Sequence, residues 1–318
     1  MKKFLLFTII VLICFAANAQ KLSGAQMKAM RAQEEKLKEL ARLLITDTLT
    51  QDRMKADTGF IRTLVRTLQI PNSFWYSLEN VKGISQLYAP DSSFRIFSWN
   101  LQYDEYYARQ RGAIQMRTAD GSLKLYGLID VSEFTENAAD SVRGANNWIG
   151  AIYYNVIRTE YKGKPYYTLF GLDHHSVRST KKWIEVLSFN SRGEPVFGGN
   201  FFQYRTDSMR NRSPFRVQIE YKKDARVLVN YVPDLGMILL DHLISESNEP
   251  DNPWTLVPDG DNEAFKWENG KWVFIDKPFD YKIDMNGVDP LIGNPPVNQP
   301  TEEGKTFPDP GKKKSGGN

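Results

Sequence analysis

Cysteine is almost missing from this sequence of 318 residues. Its one cysteine, Cys14, lies in an N-terminal apolar run that we expect to be removed, so the mature chain would contain none. A cysteine-free chain can form no disulfide, no thiolate metal site and no cysteine nucleophile. It does not need disulfides for stability, because about 200 residues of globular chain can bury a sufficient core on their own.

The sequence also lacks an excess of charge of one sign and a second long apolar run. Its 41 lysines and arginines nearly balance its 38 aspartates and glutamates, and both signs are scattered along the chain. A nucleic-acid partner is therefore not expected, because it requires basic residues clustered on one face. No apolar run after the N-terminus is long enough to cross a bilayer, so we expect no transmembrane segment in the mature chain.

Common catalytic motifs are missing as well. There is no Gly-x-Ser-x-Gly nucleophile elbow, and no glycine-rich phosphate loop that leads from a strand into a helix. These absences disfavour common serine hydrolases and nucleotide-dependent enzymes. The sequence identifies no cofactor.

The N-terminus has the three parts of a cleavable secretory signal peptide. Lys2 and Lys3 supply the positive start, residues 4–15 form an apolar run, and Ala17-Asn18-Ala19 places small residues before the expected cleavage near Ala19-Gln20. We therefore expect residues 1–19 to be removed and the mature protein to be periplasmic or secreted. Loss of two lysines and no acids would lower the formal charge from +3 to about +1.

Two alternatives to cleavage remain for this segment. It could stay as an uncleaved anchor, although a run of 12 residues is too short for a permanent span. It could also carry a lipid on Cys14, but Ile13 is bulky where a lipidation site needs a small residue. Cleavage is the interpretation that we adopt.

Residues 20–70 are predicted to form a helical hairpin. Apolar residues recur at spacings of three and four within 22–45, and a second helical pattern runs to about Gln69 before Pro71. The apolar stripe would either pack on the following domain or form a coiled coil with a partner.

Residues 71–288 have the composition of strands and turns, rich in aromatic and β-branched residues. Asp120-Gly121 is the sharpest hairpin signal. We predict a mainly β fold, an antiparallel meander of sandwich or irregular propeller-like form, preceded by the α-helical hairpin. The predicted hairpins pair 113–117 with 123–129, 152–160 with 166–172, 215–222 with 227–231, and 264–267 with 272–275. Residues 289–318, rich in Pro, Gly and Lys, are predicted to be a disordered tail.

The three histidines give the best catalytic candidates. Asp173, His174 and His175 follow an apolar strand, and His242 follows Asp241. Histidine with carboxylate is what a general base or a metal site uses. Adjacent strand residues point to opposite faces, however, so His174 and His175 can face one site only if the backbone turns there.

Two further groups of residues could bind a ligand. Asp259, Asp261 and Glu263 place oxygen ligands close together, as calcium requires, although a solvated turn is the alternative. Aromatic residues crowd the first half of the β-rich region, among them Trp75, Trp99 and Trp148. If exposed, they would form a platform for sugar rings or a protein partner; if buried, they would be core residues.

Three stretches of the β-rich region resemble a family of exported bacterial proteins with no assigned function. They are residues 93–100, the segment from Asp234 to Leu243, and the hairpin that runs from Val257-Pro258-Asp259-Gly260 to Trp272-Val273. The resemblance implies export, but it transfers no activity and no catalytic residue.

Taken together, these features favour an exported, non-catalytic protein that binds a protein or glycan partner in the cell envelope. The alternative is a hydrolase acting on carbohydrate or another envelope polymer, with Asp173, His174, His175 and His242 in one cleft. Histidines that converge would favour the enzyme, and scattered histidines would favour binding.

Overall fold

The computed structural model describes residues 22–204 and 214–279. The predicted signal peptide and tail lie outside the described residues. The chain divides after Pro278 into two units, and of the second only Phe279 is described.

The helical hairpin is confirmed. Helix α1 spans Gly24–Thr46 and helix α2 spans Thr50–Leu68. Ser23 caps α1 reciprocally, because its hydroxyl accepts from the amide of Gln26 at 3.2 Å and the side chain of Gln26 accepts from the amide of Ser23 at 2.8 Å. Each helix turns an apolar stripe towards the sheet that follows.

The strands form three sheets. The first sheet, in spatial order, contains β1 (Ser85–Tyr88), β2 (Phe94–Gln102), β3 (Ala108–Met116) and β4 (Lys124–Ile129). The second contains β5 (Arg143–Gly144), β6 (Ile152–Tyr161), β7 (Lys164–Asp173), β8 (Ser179–Phe189), β9 (Pro195–Phe197) and β11 (Arg216–Lys222). The third contains β10 (Phe202–Gln203), β12 (Val229–Val232), β13 (Met237–Ser245), β14 (Leu256–Glu268) and β15 (Lys271–Asp276).

The fold class is confirmed, since 43% of the described residues are in strands and 24% in helices, and nearly all strand pairs are antiparallel. The exception among the described strands is the two-residue parallel pair of β10 and β15. Three of the predicted hairpins are present, as β3–β4, β6–β7 and β14–β15. In each of these hairpins the two strands are joined by a short turn that the local sequence predicts.

The predicted hairpin of 215–222 with 227–231 is wrong. A turn does follow β11, where the amide of Ala225 donates to the carbonyl of Lys222 at 3.0 Å. However, β11 pairs with β8 in the second sheet, and β12 pairs with β13 in the third. The chain changes sheets at this turn, although the buried side chains of both strands, among them Val217 and Ile219 on β11 and Val229 on β12, pack in one cluster between the second and third sheets.

Alternation along β2 shows how the layers are stacked. Phe97, Trp99 and Leu101 share a buried cluster with the two helices, whereas Phe94 and Ile96 share one with the second sheet. Successive strand residues face opposite sides, so the first sheet is buried on both faces. The helical stripe therefore packs on the domain that follows it.

The second sheet is covered on both faces in the same way. Leu169 and Leu187 face the first sheet, while Phe170 and Val186 pack with residues of the third sheet. The layers thus run from helices through the first, second and third sheets. Within the described residues, neither helix is long and apolar enough to cross a membrane.

Candidate functional site

A cleft of about 560 Å³ lies where α1 ends, beside the turn between β2 and β3 and the turn after β7. We call it the histidine cleft. Its aliphatic lining includes Leu44, Ile45 and Ile152. Its polar lining includes Asn100, Gln102, Tyr106, Asp173, His174, His175 and Lys223. Three of the four proposed catalytic residues are therefore in one place.

The backbone turns at the histidine pair, which removes the objection that strand geometry raised. His175 has a left-handed φ of 44°, and its amide donates to Asp173 Oδ1 at 2.9 Å. Lys223 Nζ donates to the carbonyl of His174 at 2.6 Å. Aspartate commonly closes such turns through its side chain. As a result, His174 and His175 both line the cleft.

Buried polar groups form hydrogen bonds that support this turn on its inner side. Gln110, on β3, donates through Nε2 to Asp173 Oδ1 at 2.9 Å. The amide of Gln110 in turn donates to Asp130 Oδ2 at 3.0 Å, and Asp130 Oδ1 accepts from the amide of Gly150 at 3.2 Å. Asp173, Gln110 and Asp130 are all buried, so each hydrogen bond replaces one that water would make.

The outer side of the turn meets β11. His175 Nε2 lies 3.5 Å from Glu220 Oε1, and its Nδ1 lies 4.0 Å from Asp173 Oδ2. Ser179 Oγ donates to Glu220 Oε1 at 2.6 Å, and Lys181 Nζ lies 3.5 Å from Glu220 Oε2. The two ring nitrogens of His175 approach two different carboxylates, whereas the ligands of one metal ion would converge on a single point.

Burial changes the protonation of these groups in opposite directions. It lowers the pKa of His174, helped by the nearby Lys223, and it lowers the pKa of His175, helped by Lys181. Burial also raises the pKa of Asp173, although the amide of His175 opposes that change. The cleft thus favours neutral imidazoles that can both donate and accept hydrogen bonds.

The raised pKa of Asp173 leads to a test. A carboxyl group whose pKa is raised on folding stabilises the protein less as pH rises from its unfolded pKa, about 3.9, through the raised value. We expect Asp173→Asn to remove this loss, so the free energy of unfolding of the variant should rise relative to wild type across that pH window. Urea unfolding at a series of pH values measures the difference.

Asp120 provides the control for this prediction. Hydrogen bonds from the hydroxyl and amide of Ser122 lower the pKa of the exposed Asp120. The contribution of Asp120 to the free energy of unfolding therefore grows as pH rises from its folded pKa towards the unfolded value. The free energy of unfolding of Asp120→Asn should accordingly fall relative to wild type across that window, which is the opposite of the trend for Asp173→Asn. A difference between Asp173→Asn and wild type that is the same at every pH would contradict the prediction.

His242 does not join the other histidines in the histidine cleft. It lines a second cavity of about 560 Å³ with Asp241, Leu243 and Glu263. Its Nδ1 lies 2.8 Å from Asp259 Oδ2. The strand pairing is irregular here, since the register of β13 against β14 shifts between Asp241 and Leu243. Such a bulge re-aims the side chains beside it.

The proposed calcium loop is engaged by its neighbours. Asp259 accepts from His242 through Oδ2 and from the amide of Asp261 through Oδ1, the latter at 3.0 Å. Asp261 Oδ2 lies 4.0 Å from Lys277 Nζ, and Glu263 lines the second cavity. In residues 22–204 and 214–279, no group of three or more His, Cys, Asp or Glu could hold a metal ion. The calcium hypothesis gains no support from these residues.

The proposed tryptophan platform is largely in the core. Trp99 is 3% exposed and donates to Asp57 Oδ1 at 2.9 Å, and Trp148 is fully buried and donates to the hydroxyl of Tyr153 at 2.7 Å. These two rings therefore offer no surface to a partner. Trp75 is 40% exposed and lies outside the histidine cleft.

Sequence reasoning missed the residues that support the site. Gln110, Asp130 and Glu220 come from other strands and loops, and no motif connects them to Asp173. The available signal was weak, because Gln110 is one of several polar residues in β3. Tyr106 belongs to no motif and is one of many aromatic residues in this part of the sequence.

Comparison with known proteins adds no relative, since no family model, no curated protein and no solved structure matches the chain. The function is therefore inferred from the geometry of the molecule itself.

Proposed function

We propose that this is an exported, non-catalytic binding protein of the cell envelope or the surrounding medium, and that it holds a glycan in the histidine cleft. The signal-like residues 1–19 support the exported part of the proposal. The lining of the cleft supports the glycan part.

The observation that carries the proposal is the mixture of groups around the cleft. Asn100, Gln102 and His174 give the cleft a lining that contains both donors and acceptors, as sugar hydroxyls require. Asn100 donates to Gln102 Oε1 at 3.1 Å and Gln102 donates to the carbonyl of Tyr107 at 3.4 Å, so these two side chains are held in place. Tyr106 is 67% exposed and lines the same cleft as the aliphatic side chain of Ile45. An aromatic ring at the mouth of a polar cleft can stack on the apolar face of a sugar ring while its hydroxyl stays in water.

The arrangement favours binding over hydrolysis. Asp173 Oδ1 is already occupied by Gln110 and by the amide of His175. His242, the fourth residue of the hydrolase hypothesis, lines another cavity. The one observation that favours chemistry is the contact of His242 with Asp259, since a carboxylate on Nδ1 leaves Nε2 free to accept a proton.

The expected result concerns Tyr106→Ala. We expect wild-type protein to bind at least one linear tetrasaccharide of a panel that includes chitotetraose and maltotetraose, and Tyr106→Ala to weaken that binding by about tenfold, the loss of one stacking contact. Isothermal titration calorimetry measures both. Phe134→Ala is the matched control, because Phe134 is 77% exposed and does not line the cleft.

Equal losses in the two variants would show that the cleft is not the site, and a panel with no binder would contradict the glycan class. The same mixtures should be assayed for new reducing ends. Their appearance with wild-type protein and their absence with His242→Ala would replace the binding proposal with hydrolysis at the second cavity.

A further inference from the structure

Strand β4 is an edge of the first sheet. One hydrogen bond is enough to determine which of its backbone N–H and C=O groups point away from the sheet. The amide of Arg117 donates to the carbonyl of Ser93 at 2.9 Å, and residues 93 and 117 continue the register of β2 with β3. Backbone groups in an antiparallel pair alternate in direction. Odd-numbered residues of β3 therefore bond to β2, and even-numbered residues bond to β4.

The same alternation continues into β4. Gly112, Ile114 and Met116 pair with Leu128, Tyr126 and Lys124. The N–H and C=O groups of Leu125 and Gly127 consequently point away from the sheet. Beyond β4 the edge is covered, since the amide of Val131 donates to the carbonyl of Trp148 at 2.9 Å. Within the described residues, the outward groups of Leu125 and Gly127 have no backbone partner.

This bare edge forms one wall of a groove of about 880 Å³, which we call the β4 groove. Its other walls are residues 143–147 and the turn around Asn190 and Glu194. Nothing lies within 4 Å of the position that a Cβ of Gly127 would occupy. Because a Cβ in a strand points out of the plane of the sheet, the face of the sheet at Gly127 is open.

The charges around the β4 groove are mainly positive. Arg143 and Arg192 line it, and Lys124 lies at the start of β4 with Nζ 5.7 Å from the ring of Tyr126. Glu194 is the one acidic residue among those that line the groove; its pairing with Arg192 at 2.9 Å balances those two charges, so Arg143 and the neighbouring Lys124 supply the excess of positive charge. Such a surface attracts an acidic partner.

We propose that the β4 groove binds an extended peptide with acidic side chains, which adds to β4 as a further strand of the first sheet. The outward N–H and C=O groups of Leu125 and Gly127 supply the main-chain hydrogen bonds. The basic side chains supply the preference for acidic residues. Strand addition of this kind draws affinity from the backbone and specificity from alternate side chains.

Gly127 allows a matched pair of variants. Gly127→Pro removes the outward N–H without removing a hydrogen bond to β3, and proline is tolerated on edge strands. Gly127→Ala keeps the N–H and adds a methyl group to open space. With a fluorescein-labelled peptide of alternating valine and glutamate as probe, we expect anisotropy titration to show about a tenfold loss for Gly127→Pro and a change within about twofold for Gly127→Ala.

Two altered probes test the mechanism independently of protein stability. Two forms of the same peptide are N-methylated on alternate residues, each along one edge of the extended chain. One of the two forms should bind at least about tenfold more weakly than the parent peptide. A valine and lysine peptide should bind more weakly than the glutamate peptide, and Arg143→Glu with Arg192→Glu should reverse that order. If Gly127→Pro fails to fold, the N-methylated probes still decide the question.

The inference is overturned if wild-type protein does not bind the glutamate peptide, or if both N-methylated forms bind as well as the parent. It is also overturned if the arginine variants leave the preference unchanged. Tyr106→Ala should not affect peptide binding, because the histidine cleft and the β4 groove share no lining residue. Failure of the glycan proposal would therefore leave this one intact.

Discussion

Glu185→Gln is expected to lower the free energy of unfolding by about 3–5 kcal/mol, the cost of breaking a buried ion pair by removing one partner. Glu185 Oε2 lies 3.0 Å from Arg216 Nε, and the two side chains are 2% and 0% exposed. Glutamine keeps the shape of glutamate and removes only its charge. The guanidinium would then remain buried with no counter-ion beside it.

The surroundings of this pair explain why the loss should be large. Arg216 also donates to the carbonyls of Ala138 and Ser141, the latter at 3.0 Å, so the guanidinium cannot easily move to water. On the other side, Glu185 Oε1 accepts from the hydroxyl of Tyr153, which accepts from Trp148 Nε1 at 2.7 Å. The ion pair thus joins β8 and β11 to the loop before β6.

Urea unfolding monitored by tryptophan fluorescence measures the effect. Arg192→Met is the matched control, because the Arg192–Glu194 pair has side chains that are 78% and 44% exposed and should contribute less than about 1 kcal/mol. Similar losses for Glu185→Gln and Arg192→Met would contradict the prediction. The double variant Glu185→Leu with Arg216→Met should be more stable than Glu185→Gln, because it leaves no unpaired charge in the core.

This ion pair also marks the limit of what the sequence could predict. Both partners lie in strands that composition predicts, but β11 was expected to pair with β12 rather than with β8. The turn at Ala225 is a genuine local signal. It could not reveal that the two strands lie in different sheets, because that choice depends on which apolar faces meet in the core.

Local signals predicted the rest of the fold well. The two helices follow from apolar residues three and four apart, and the β3–β4 hairpin follows from Asp120-Gly121. In each case the interacting residues are close along the chain. The stacking of three sheets depends instead on contacts between distant strands, so the sequence left the closure of the β region open.

The candidate site shows the same division. Asp173, His174 and His175 were found because they are adjacent, and a turn that the aspartate closes brings both rings to one cleft. Gln110, which holds Asp173, is 63 residues away in sequence. His242 was grouped with the other histidines on chemistry alone, but it lies at the register shift in β13, lines another cavity and contacts Asp259.

Phe97→Ala is the second change with a large expected effect, a loss of about 3–5 kcal/mol in the free energy of unfolding. Phe97 is 1% exposed and belongs to the cluster between the helices and the first sheet. The guanidinium carbon of Arg95, itself fully buried, lies 4.9 Å from the centroid of the Phe97 ring. Alanine would leave a cavity at the centre of this interface. Phe134→Ala, at a surface position, should change stability by less than about 0.5 kcal/mol.

The variant also tests whether the helical hairpin is part of the core. Asp57, on α2, accepts from Trp99 Nε1 at 2.9 Å and from Arg111 Nε at 3.0 Å, so polar contacts join the same two layers that Phe97 fills. If the layers unfold together, circular dichroism of the helices and tryptophan fluorescence of the sheets should lose stability by the same amount in Phe97→Ala. A helical signal that keeps its wild-type midpoint while the fluorescence transition moves would show that the hairpin is stable without the first sheet. The shared cluster makes the joint loss the expected result, because a cavity there removes contacts from both layers at once.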